Sequence, residues 1–230
     1  MKLEVLADAD AVAARAAEFV AAEARAAVAA RARFALAVSG GHTPWQMLRA
    51  LADQQIPWSA VHLFQVDERV APAGDPDRNL THIGESLLAR VSLPAGHLHA
   101  MPVEEQDLGA AAAGYARELA RAAGAPPVLD LVHLGLGPDG HTASLVPGDP
   151  ALAATEETVA VTGVYQGHRR MTLTFAVLDR ARCVLWLVTG ADKQPMLARL
   201  RAGDRSIPAG RVRRDAALVL ADAAAAGERR

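Results

Sequence analysis

Short apolar runs between alanine-rich stretches are the feature that most constrains the fold of this chain. The runs at 34–38, 61–66 and 183–188 are mainly aliphatic, and hydroxyl, acidic or glycine residues follow each of them at once. Runs of this length bounded by turn residues are typical of strands buried on both faces of a parallel sheet. Their alternation with helical segments predicts an α/β fold, a Rossmann-like three-layer αβα sandwich with a central sheet that is mostly parallel and can be mixed.

Alanine-rich segments with spaced charged residues predict the helices. They cover residues 8–31, 45–52, 79–90, 107–123 and 191–201. Asp8 or Asp10 can cap the first helix, and Pro44 suits the first position of the second. Further strand-like segments lie at 97–101, 159–162, 171–175 and 218–220. Neither a linker nor an internal repeat interrupts this pattern, so we expect residues 1–230 to form one domain.

Charge and hydropathy argue against several classes of partner. The formal net charge of −2 provides no basic field for nucleic acid, and no uninterrupted apolar segment is long enough to cross a membrane. Cys183 is the only cysteine, so an internal disulfide and a cysteine-based zinc site are excluded. The N-terminus lacks a basic region followed by an apolar one. We therefore expect a soluble cytoplasmic protein, a monomer or a weak homodimer, without nucleic-acid or membrane partners.

The stretch from Leu129 to Gly148 carries the strongest chemical signal. Its apolar start, Leu-Asp-Leu-Val-His-Leu, ends abruptly in Gly-Leu-Gly-Pro-Asp-Gly-His. In open α/β sheets, ligands bind beyond the carboxyl ends of the strands, and Asp139 and His141 stand at such an end. A histidine beside a carboxylate is a plausible general base, because its pKa lies near neutrality.

The spacing Gly135-x-Gly137-x-x-Gly140 also fits the fingerprint of dinucleotide-binding proteins. That fingerprint requires the last glycine to open a long helix, whereas Pro147 and Pro150 break any helix there. We therefore interpret the glycines as a tight loop that presents the aspartate and the histidine. Binding of NAD(P) by an oxidoreductase is the alternative.

A glycine-rich loop, Ser39-Gly-Gly-His-Thr-Pro44, follows the first apolar run. Its glycines let backbone amides approach an anion, and the hydroxyls of Ser39 and Thr43 add donors. The start of the next helix adds the positive end of its dipole. We interpret the loop as a phosphate cradle, with an ordinary β–α turn capped by Thr43 as the alternative.

Charged residues mark the remaining strand ends. Asp67-Glu-Arg69 follows the second apolar run directly, and Lys193 opens the helix after the third. Arginine and lysine near a glycine-hydroxyl loop are the expected complement of a sugar phosphate. Arg169 and Arg170 are adjacent and point to opposite faces of a strand, and of the two we expect Arg170 to reach the site.

The histidine spacing predicts no metal site. His97 and His99 share one face of a strand, but no acidic residue or third histidine stands at a ligand-like spacing. For the isolated His62 and His133 a structural role is expected. Ser144, which follows the histidine of the glycine-rich stretch, is expected to cap or to pack. No cofactor is expected.

These motifs resemble the glucosamine-6-phosphate isomerase/6-phosphogluconolactonase family. The resemblance rests on ordered motifs: Ser-Gly-Gly-x-Thr-Pro at 39–44, Asp-Glu-Arg at 67–69, Gly-Leu-Gly-Pro-Asp-Gly-His-Thr-Ala-Ser at 135–144, Arg-Met-Thr-Leu-Thr at 170–174 and Gly-Ala-Asp-Lys at 190–193. It extends to Ile-Pro-Ala at 207–209 and thus covers most of the chain. The stretch at 135–144 is the most specific element.

Two positions separate this chain from the deaminase branch of that family. The deaminase loop resembles Asp-Gly-His-Ile-Ala-Phe-Asn-Glu, with its glutamate where this chain has Val146, and the deaminase Asp-Glu-Tyr is Asp-Glu-Arg69 here. Both differences favour the lactonase branch. Within that branch the chain departs from the common pattern at two positions. Arg78 stands where a serine is usual, and Val146 stands where an aromatic residue is usual.

The resemblance implies hydrolysis of 6-phospho-D-glucono-1,5-lactone to 6-phosphogluconate, in the oxidative pentose phosphate pathway, without a metal or a cofactor. His141 would take a proton from the attacking water, and Asp139 would orient its imidazole. Arg69 would stabilise the developing oxyanion. Asp67 would bind sugar hydroxyls or support Arg69.

The resemblance also implies a phosphate-anchoring pocket. Its members would be Ser39, Gly40, Gly41, Thr43, Gly137, Arg170 and Lys193. A glucosamine-6-phosphate deaminase/isomerase and a non-catalytic sugar-phosphate-binding protein are the alternatives that share this fold.

Overall fold

A parallel sheet organises the computed structural model, which describes residues 1–228 of the chain. The strands are β1 (Lys2–Leu6), β2 (Phe34–Val38), β3 (Val61–Gln65), β4 (Asp67–Arg69), β5 (Leu98–His99), β6 (Leu131–Gly135), β7 (Val159–Val161), β8 (Arg170–Leu173), β9 (Cys183–Val188) and β10 (Ala217–Asp222). The central sheet has the order β1-β10-β9-β6-β2-β3-β5, and every neighbouring pair is parallel. The predicted α/β class is therefore confirmed.

Helices cover both faces of this sheet. They are α1 (Ala9–Arg31), α2 (His42–Ala52), α3 (Asn79–Ile83), α4 (Leu108–Ala123), α5 (Phe175–Leu178), α6 (Gln194–Ala202) and α7 (Ala223–Ala226). Asp8, one of the two candidate caps, accepts a hydrogen bond from the amide of Ala11 at 2.9 Å. Within residues 1–228, no helix is both long and apolar enough to span a bilayer.

The side chains of β2 show why the sheet is buried on both of its faces. Phe34, Leu36 and Val38 belong to an apolar core that α1 and α2 complete, whereas Ala35 and Ala37 belong to a second core with α4 and α6. Successive strand side chains point to opposite faces of a sheet. A run that is apolar at every position therefore needs a helix layer on each side, which gives the predicted sandwich.

A second, smaller sheet lies outside this sandwich and was not predicted. In it, β4 pairs antiparallel with β8, and β8 pairs antiparallel with β7. Asp-Glu-Arg at 67–69 is predicted as a polar strand end, because it follows an apolar run directly. Pairing with β8, which is distant in sequence, makes this segment a strand, and a local pattern does not reveal such pairing.

Three local predictions differ from the structure. The edge strand β1 was missed, because its residues are only partly buried beside β10. Helix α2 begins at His42 instead of residue 45, after a turn at Gly41 with φ 126°. The helix predicted at 79–90 is the single α-helical segment α3 followed by a π-helical turn, Gly84–Leu88.

His133 is an acid-sensitive group in the centre of β6. Its ring is fully buried, and Nδ1 accepts a hydrogen bond from the amide of Ser39 at 3.3 Å. Its Nε2 has no hydrogen-bond partner among the described residues. Burial lowers the pKa of His133 to about 3. The imidazole therefore stays neutral in the folded protein and gains its proton on unfolding.

We expect the free energy of unfolding to decrease as the pH falls below 6.5, because the unfolded chain then binds a proton at His133 that the folded chain does not bind. The contribution of one such group is up to about 1.4 kcal/mol per pH unit. His133→Asn keeps an acceptor for the amide of Ser39 and should make this dependence shallower by a comparable amount. Urea unfolding measured between about pH 7 and pH 4 tests this.

The matched control is His42→Asn, since His42 is exposed on α2. That variant should retain the pH dependence of the original chain. Identical pH dependence in the His133→Asn variant would contradict the assignment.

Candidate active site

The carboxyl edge of the central sheet opens into a polar cavity of about 240 Å³. Loops that follow β2, β6 and β9 form part of its wall, and β4, β8 and the start of α3 form the rest. The lining residues are Ser39, Gly40, Gly41, Asp67, Arg69, Asn79, Gly135, Leu136, Gly137, Pro138, His141, Ala143, Arg170 and Lys193. Of the residues predicted for the site, all except Thr43 and Asp139 line this cavity.

His141 is held by Asp139 from behind the cavity wall. Oδ1 of Asp139 accepts hydrogen bonds from Nδ1 of His141 at 2.6 Å and from its backbone amide at 3.1 Å. With the proton on Nδ1, the lone pair of the imidazole lies on Nε2. The ring is 19% exposed, and it borders the cavity. This arrangement suits a general base.

The carboxylate form of Asp139 is favoured by its neighbours. Partial burial by itself would raise the pKa of Asp139, but the hydrogen bonds and the charge of His141 oppose it, and the hydroxyl of Tyr165 donates to Oδ2 at 3.1 Å. Together they keep the pKa below its ordinary value. Sequence reasoning missed Tyr165, because a tyrosine in a polar turn gives no signal of its own.

Gly137 allows the histidine to pack closely on the loop. A Cβ at this position would overlap the imidazole of His141. The amide of Gly137 also donates to the carbonyl of His141 at 2.8 Å. After Gly140 the described chain next becomes helical in the short 3-10 turn Pro150–Ala153. The long helix that a dinucleotide site requires is therefore not formed here.

The loop after β2 presents backbone to the cavity. Gly40 lies against the amide of Asn79, where a Cβ would overlap that side chain. Gly41 is the N-cap of α2. Because glycine has no side chain, no side-chain oxygen caps this helix, and the first-turn amides can serve an anion. Thr43 differs from its prediction. Its hydroxyl pairs with that of Thr189 at 2.7 Å, and the residue does not line the cavity described above.

Two arginines face each other on one wall of the cavity. Arg69 of β4 and Arg170 of β8 are direct cross-strand partners. Like charges in this relation repel each other, so the wall favours a negative group between them. Arg170 is 4% exposed, whereas the adjacent Arg169 is exposed to solvent. The structure thus brings Arg170, as expected, and not Arg169 to the cavity.

Asp67 is the negative group already present at this wall. It stands two residues before Arg69 and therefore on the same face of β4. Its Oδ2 accepts a hydrogen bond from the hydroxyl of Ser144 at 2.6 Å. Burial raises the pKa of Asp67, although Ser144 and Arg170 oppose this change. Ser144, expected only to cap or to pack, thus connects the histidine loop with β4.

Neighbouring polar groups fix Arg69 and Lys193. Nη1 of Arg69 donates to the carbonyl of Asp77 at 2.7 Å and to Oδ1 of Asn79 at 3.2 Å. Lys193 stands in a 3-10 turn after β9 and pairs with Asp192 at 3.3 Å. Asn79 was predicted only as a helix start, and its role in orienting Arg69 has no local sequence signal.

Glu68 supports this wall from its buried side. Its carboxylate accepts hydrogen bonds from the amides of Asn79 and Leu80, each at 2.8 Å. Arg78 forms an ion pair with the same carboxylate at 3.3 Å and is itself buried. Arg78 therefore compensates a buried charge.

The described residues contain no cluster of three or more histidine, cysteine, aspartate or glutamate side chains arranged to hold a metal ion. The fold and the cavity instead define a class of protein: a Rossmann-like α/β protein with a histidine–carboxylate pair beside a cationic pocket. Both lie at the carboxyl edge of the parallel sheet, where this class binds its ligands.

Comparison with known proteins narrows this class to one family. Residues 7–220 match the family model described as glucosamine-6-phosphate isomerases/6-phosphogluconolactonase. A 6-phosphogluconolactonase from Nostoc sp. is 36% identical over 98% of this chain and 97% of that protein. One from Mycobacterium tuberculosis is 39% identical, with the same coverage of 98% and 97%. The structure of a 6-phosphogluconolactonase from Thermotoga maritima gives a TM-score of 0.85 at 28% identity, over 96% of this chain and 98% of that one.

The chain belongs to the glucosamine-6-phosphate isomerase/6-phosphogluconolactonase family. The resemblance drawn from the sequence motifs is thereby confirmed. A monomeric glucosamine-6-phosphate deaminase also gives a TM-score of 0.85, but at 18% identity. That similarity shows a common fold alone.

Gly137→Ala should displace the imidazole of His141, because the new methyl group overlaps the ring. We expect a loss of about 1–3 kcal/mol in the free energy of unfolding, as is typical of overpacking. The downfield proton resonance of the Nδ1–H to Asp139 should also be lost or shifted. Chemical unfolding and proton NMR measure these two effects.

Gly135→Ala is the matched control, since nothing in the described chain lies within 4 Å of a Cβ at that position. Its stability and its histidine resonance should remain close to those of the original chain. Equal behaviour of the two variants would contradict the close packing of Gly137 on the ring.

Proposed function

We propose that this protein hydrolyses 6-phospho-D-glucono-1,5-lactone to 6-phosphogluconate without a metal or a cofactor. The observation that carries the proposal is the hydrogen bond between Nδ1 of His141 and Oδ1 of Asp139, which are 2.6 Å apart. His141 lines a cavity that Arg170 and Lys193 also line. Hydrolysis of a phosphorylated lactone requires a general base that activates water and an anion site that holds the phosphate, both within one cavity. The relatives named 6-phosphogluconolactonase support the same substrate.

In the proposed reaction, Nε2 of His141 removes a proton from a water molecule while the water oxygen attacks C1 of the lactone. The carbonyl oxygen then carries the negative charge, and Arg69 with nearby loop amides stabilises it. As the tetrahedral intermediate collapses, the bond between C1 and the ring oxygen breaks. The imidazolium returns its proton to that oxygen, which becomes a hydroxyl group. Asp139 stabilises the imidazolium and keeps the ring oriented.

The phosphate of the substrate fixes C1 near the histidine. We assign this anchoring to Ser39, Gly40, Gly41, Gly137, Arg170 and Lys193. An anchored substrate reacts as if within one molecule, which lowers the entropic part of the barrier. Thr43 acts from outside the cavity through its bond to Thr189, which holds the start of α2 against the loop after β9. Asp67 supports the two arginines that it faces.

The deaminase alternative requires an ionisable group where this chain has Val146, which is aliphatic and buried. A non-catalytic sugar-phosphate-binding protein would not need the hydrogen bond between the carboxylate of Asp139 and the imidazole of His141. Lactonase activity, measured after subtraction of spontaneous hydrolysis, decides between these functions. A single domain, a monomer or weak homodimer, and a location in the cytoplasm stay predictions.

His141→Ala should lower kcat by about 10²–10⁴-fold and leave KM nearly unchanged, because a general base contributes to the chemical step and not to binding. Steady-state hydrolysis of freshly prepared 6-phosphogluconolactone measures both constants. His42→Ala is the control, as this exposed histidine does not line the described cavity. Equal turnover in the His141→Ala variant would refute the assignment.

Lys193→Ala should raise KM for the phosphorylated lactone by about 10- to 100-fold, because one charge-assisted contact to the phosphate is lost. With unphosphorylated glucono-1,5-lactone the same variant should show little change. Lys2→Ala provides the matched control: Lys2, the other lysine of the chain, is an exposed residue of β1 that pairs with Glu4. A KM that does not change with the phosphorylated lactone would remove Lys193 from the anchor.

A further inference from the structure

We infer that Tyr165 is a positioning residue that holds Asp139 by its hydroxyl and Arg170 by its ring, and so sets the orientation of His141 relative to the anchored substrate. The inference rests on the proposed lactone hydrolysis. It adds to that proposal a residue outside the motifs of the sequence analysis. It also connects the base with the anion anchor through one side chain.

Three contacts of Tyr165 carry this inference. Its hydroxyl donates to Oδ2 of Asp139 at 3.1 Å, which is the carboxylate oxygen that His141 does not use. Its ring meets the ring of His141 edge to face, with centroids 5.5 Å apart. The guanidinium of Arg170 lies over the same ring, 5.2 Å from its centroid. One side chain therefore contacts all three groups.

The turn that carries Tyr165 is fixed to the rest of the site. Tyr165 and His168 exchange backbone hydrogen bonds, and Gly167 adopts φ 84° to close the turn. Nε2 of His168 lies 3.1 Å from Oδ2 of Asp77. The backbone carbonyl of the same aspartate accepts the hydrogen bond from Arg69. The tyrosine is therefore presented by a turn that the wall of the cavity holds, and not by a free loop.

The hydroxyl of Tyr165 has a definite electrostatic effect on the pair. A hydrogen bond donated to a carboxylate spreads its charge and weakens its attraction for a neighbouring imidazolium. Partial burial and the charge of Asp139 raise the pKa of Tyr165, so the phenol stays protonated and remains a donor at neutral pH. Removing the hydroxyl should leave Asp139 more basic and strengthen its attraction for the imidazolium that forms during the reaction.

Other charged groups face the same imidazole from the cavity. They are Asp67 and Arg69 on β4, Arg170 on β8 and Lys193 after β9. None of them contacts the phenol hydroxyl, whose described hydrogen bond goes to Asp139. A change confined to this hydroxyl therefore reports on the bond between Tyr165 and Asp139 against a constant background of charge.

The test compares Tyr165→Phe with the original chain over about pH 5.5–7.5. In the variant we expect the acidic limb of the pH profile of kcat/KM to move upward by about half a unit to one unit, so that activity near pH 6 falls about 3- to 10-fold. KM should change little, because the ring still supports Arg170. The downfield proton resonance of the bond from Nδ1 of His141 to Asp139, followed by NMR, should shift in the same variant.

Two further variants separate positioning from a merely structural role. Tyr165→Leu removes the ring as well and should also raise KM about threefold, since the support of Arg170 is lost. Val164→Ala alters an exposed neighbour in the same turn and should leave both profiles unchanged. In an Asp139→Asn background, Tyr165→Phe should have no further effect on the Nδ1 proton resonance of His141, because the carboxylate through which it acts is gone.

The outcomes distinguish this inference from the proposed function. An active original chain whose Tyr165→Phe variant keeps the same pH profile and the same Nδ1 proton resonance of His141 would overturn the inference. If the original chain does not hydrolyse the lactone, the proposed function fails. The NMR comparison then still decides whether Tyr165 acts on Asp139 and His141.

Discussion

Because every neighbouring pair in the central sheet is parallel, all of its strands end at one edge, and the loops that follow them are forced together. Residues far apart in sequence thus reach one cavity. Ser39 follows β2, His141 lies beyond β6, and Lys193 follows β9. The two helix layers bury the strands on both faces and leave the strand ends as the place where polar loops collect. The position of the site is a direct consequence of the parallel order.

The small antiparallel sheet supplies the charge that this edge would otherwise lack. It places Arg69 opposite Arg170, with Asp67 on the same face. The repulsion of the two directly opposed cations is offset in part by one buried carboxylate, and the remaining positive charge favours an anion. On its other side the buried Glu68 holds the start of α3 through two backbone amides. The positive charge of the wall and its rigidity therefore have separate origins in adjacent residues.

Much of this site was predictable, because its motifs stand directly after recognisable strands. The pair of Asp139 and His141, the glycine loop after β2 and Lys193 all lie where the sequence pattern placed them. The contributions of Tyr165, Asn79 and Ser144 were not predictable. Each acts through contacts to residues that are distant in sequence or in a neighbouring turn, and such contacts leave no periodicity or composition to recognise. Thr43 shows the opposite case, since its motif was recognised but its hydroxyl points to Thr189 instead of the cavity.

The sequence by itself determined the α/β class, the main strands and helices and the family, because hydrophobic runs, capping residues and spaced motifs are local properties of the chain. Only the tertiary structure decided the strand order, the separate sheet of β4, β7 and β8, and the choice of Arg170 over Arg169. These features depend on pairing between segments that are far apart along the chain. Pairing energy is shared between two partners, so neither segment read alone contains it.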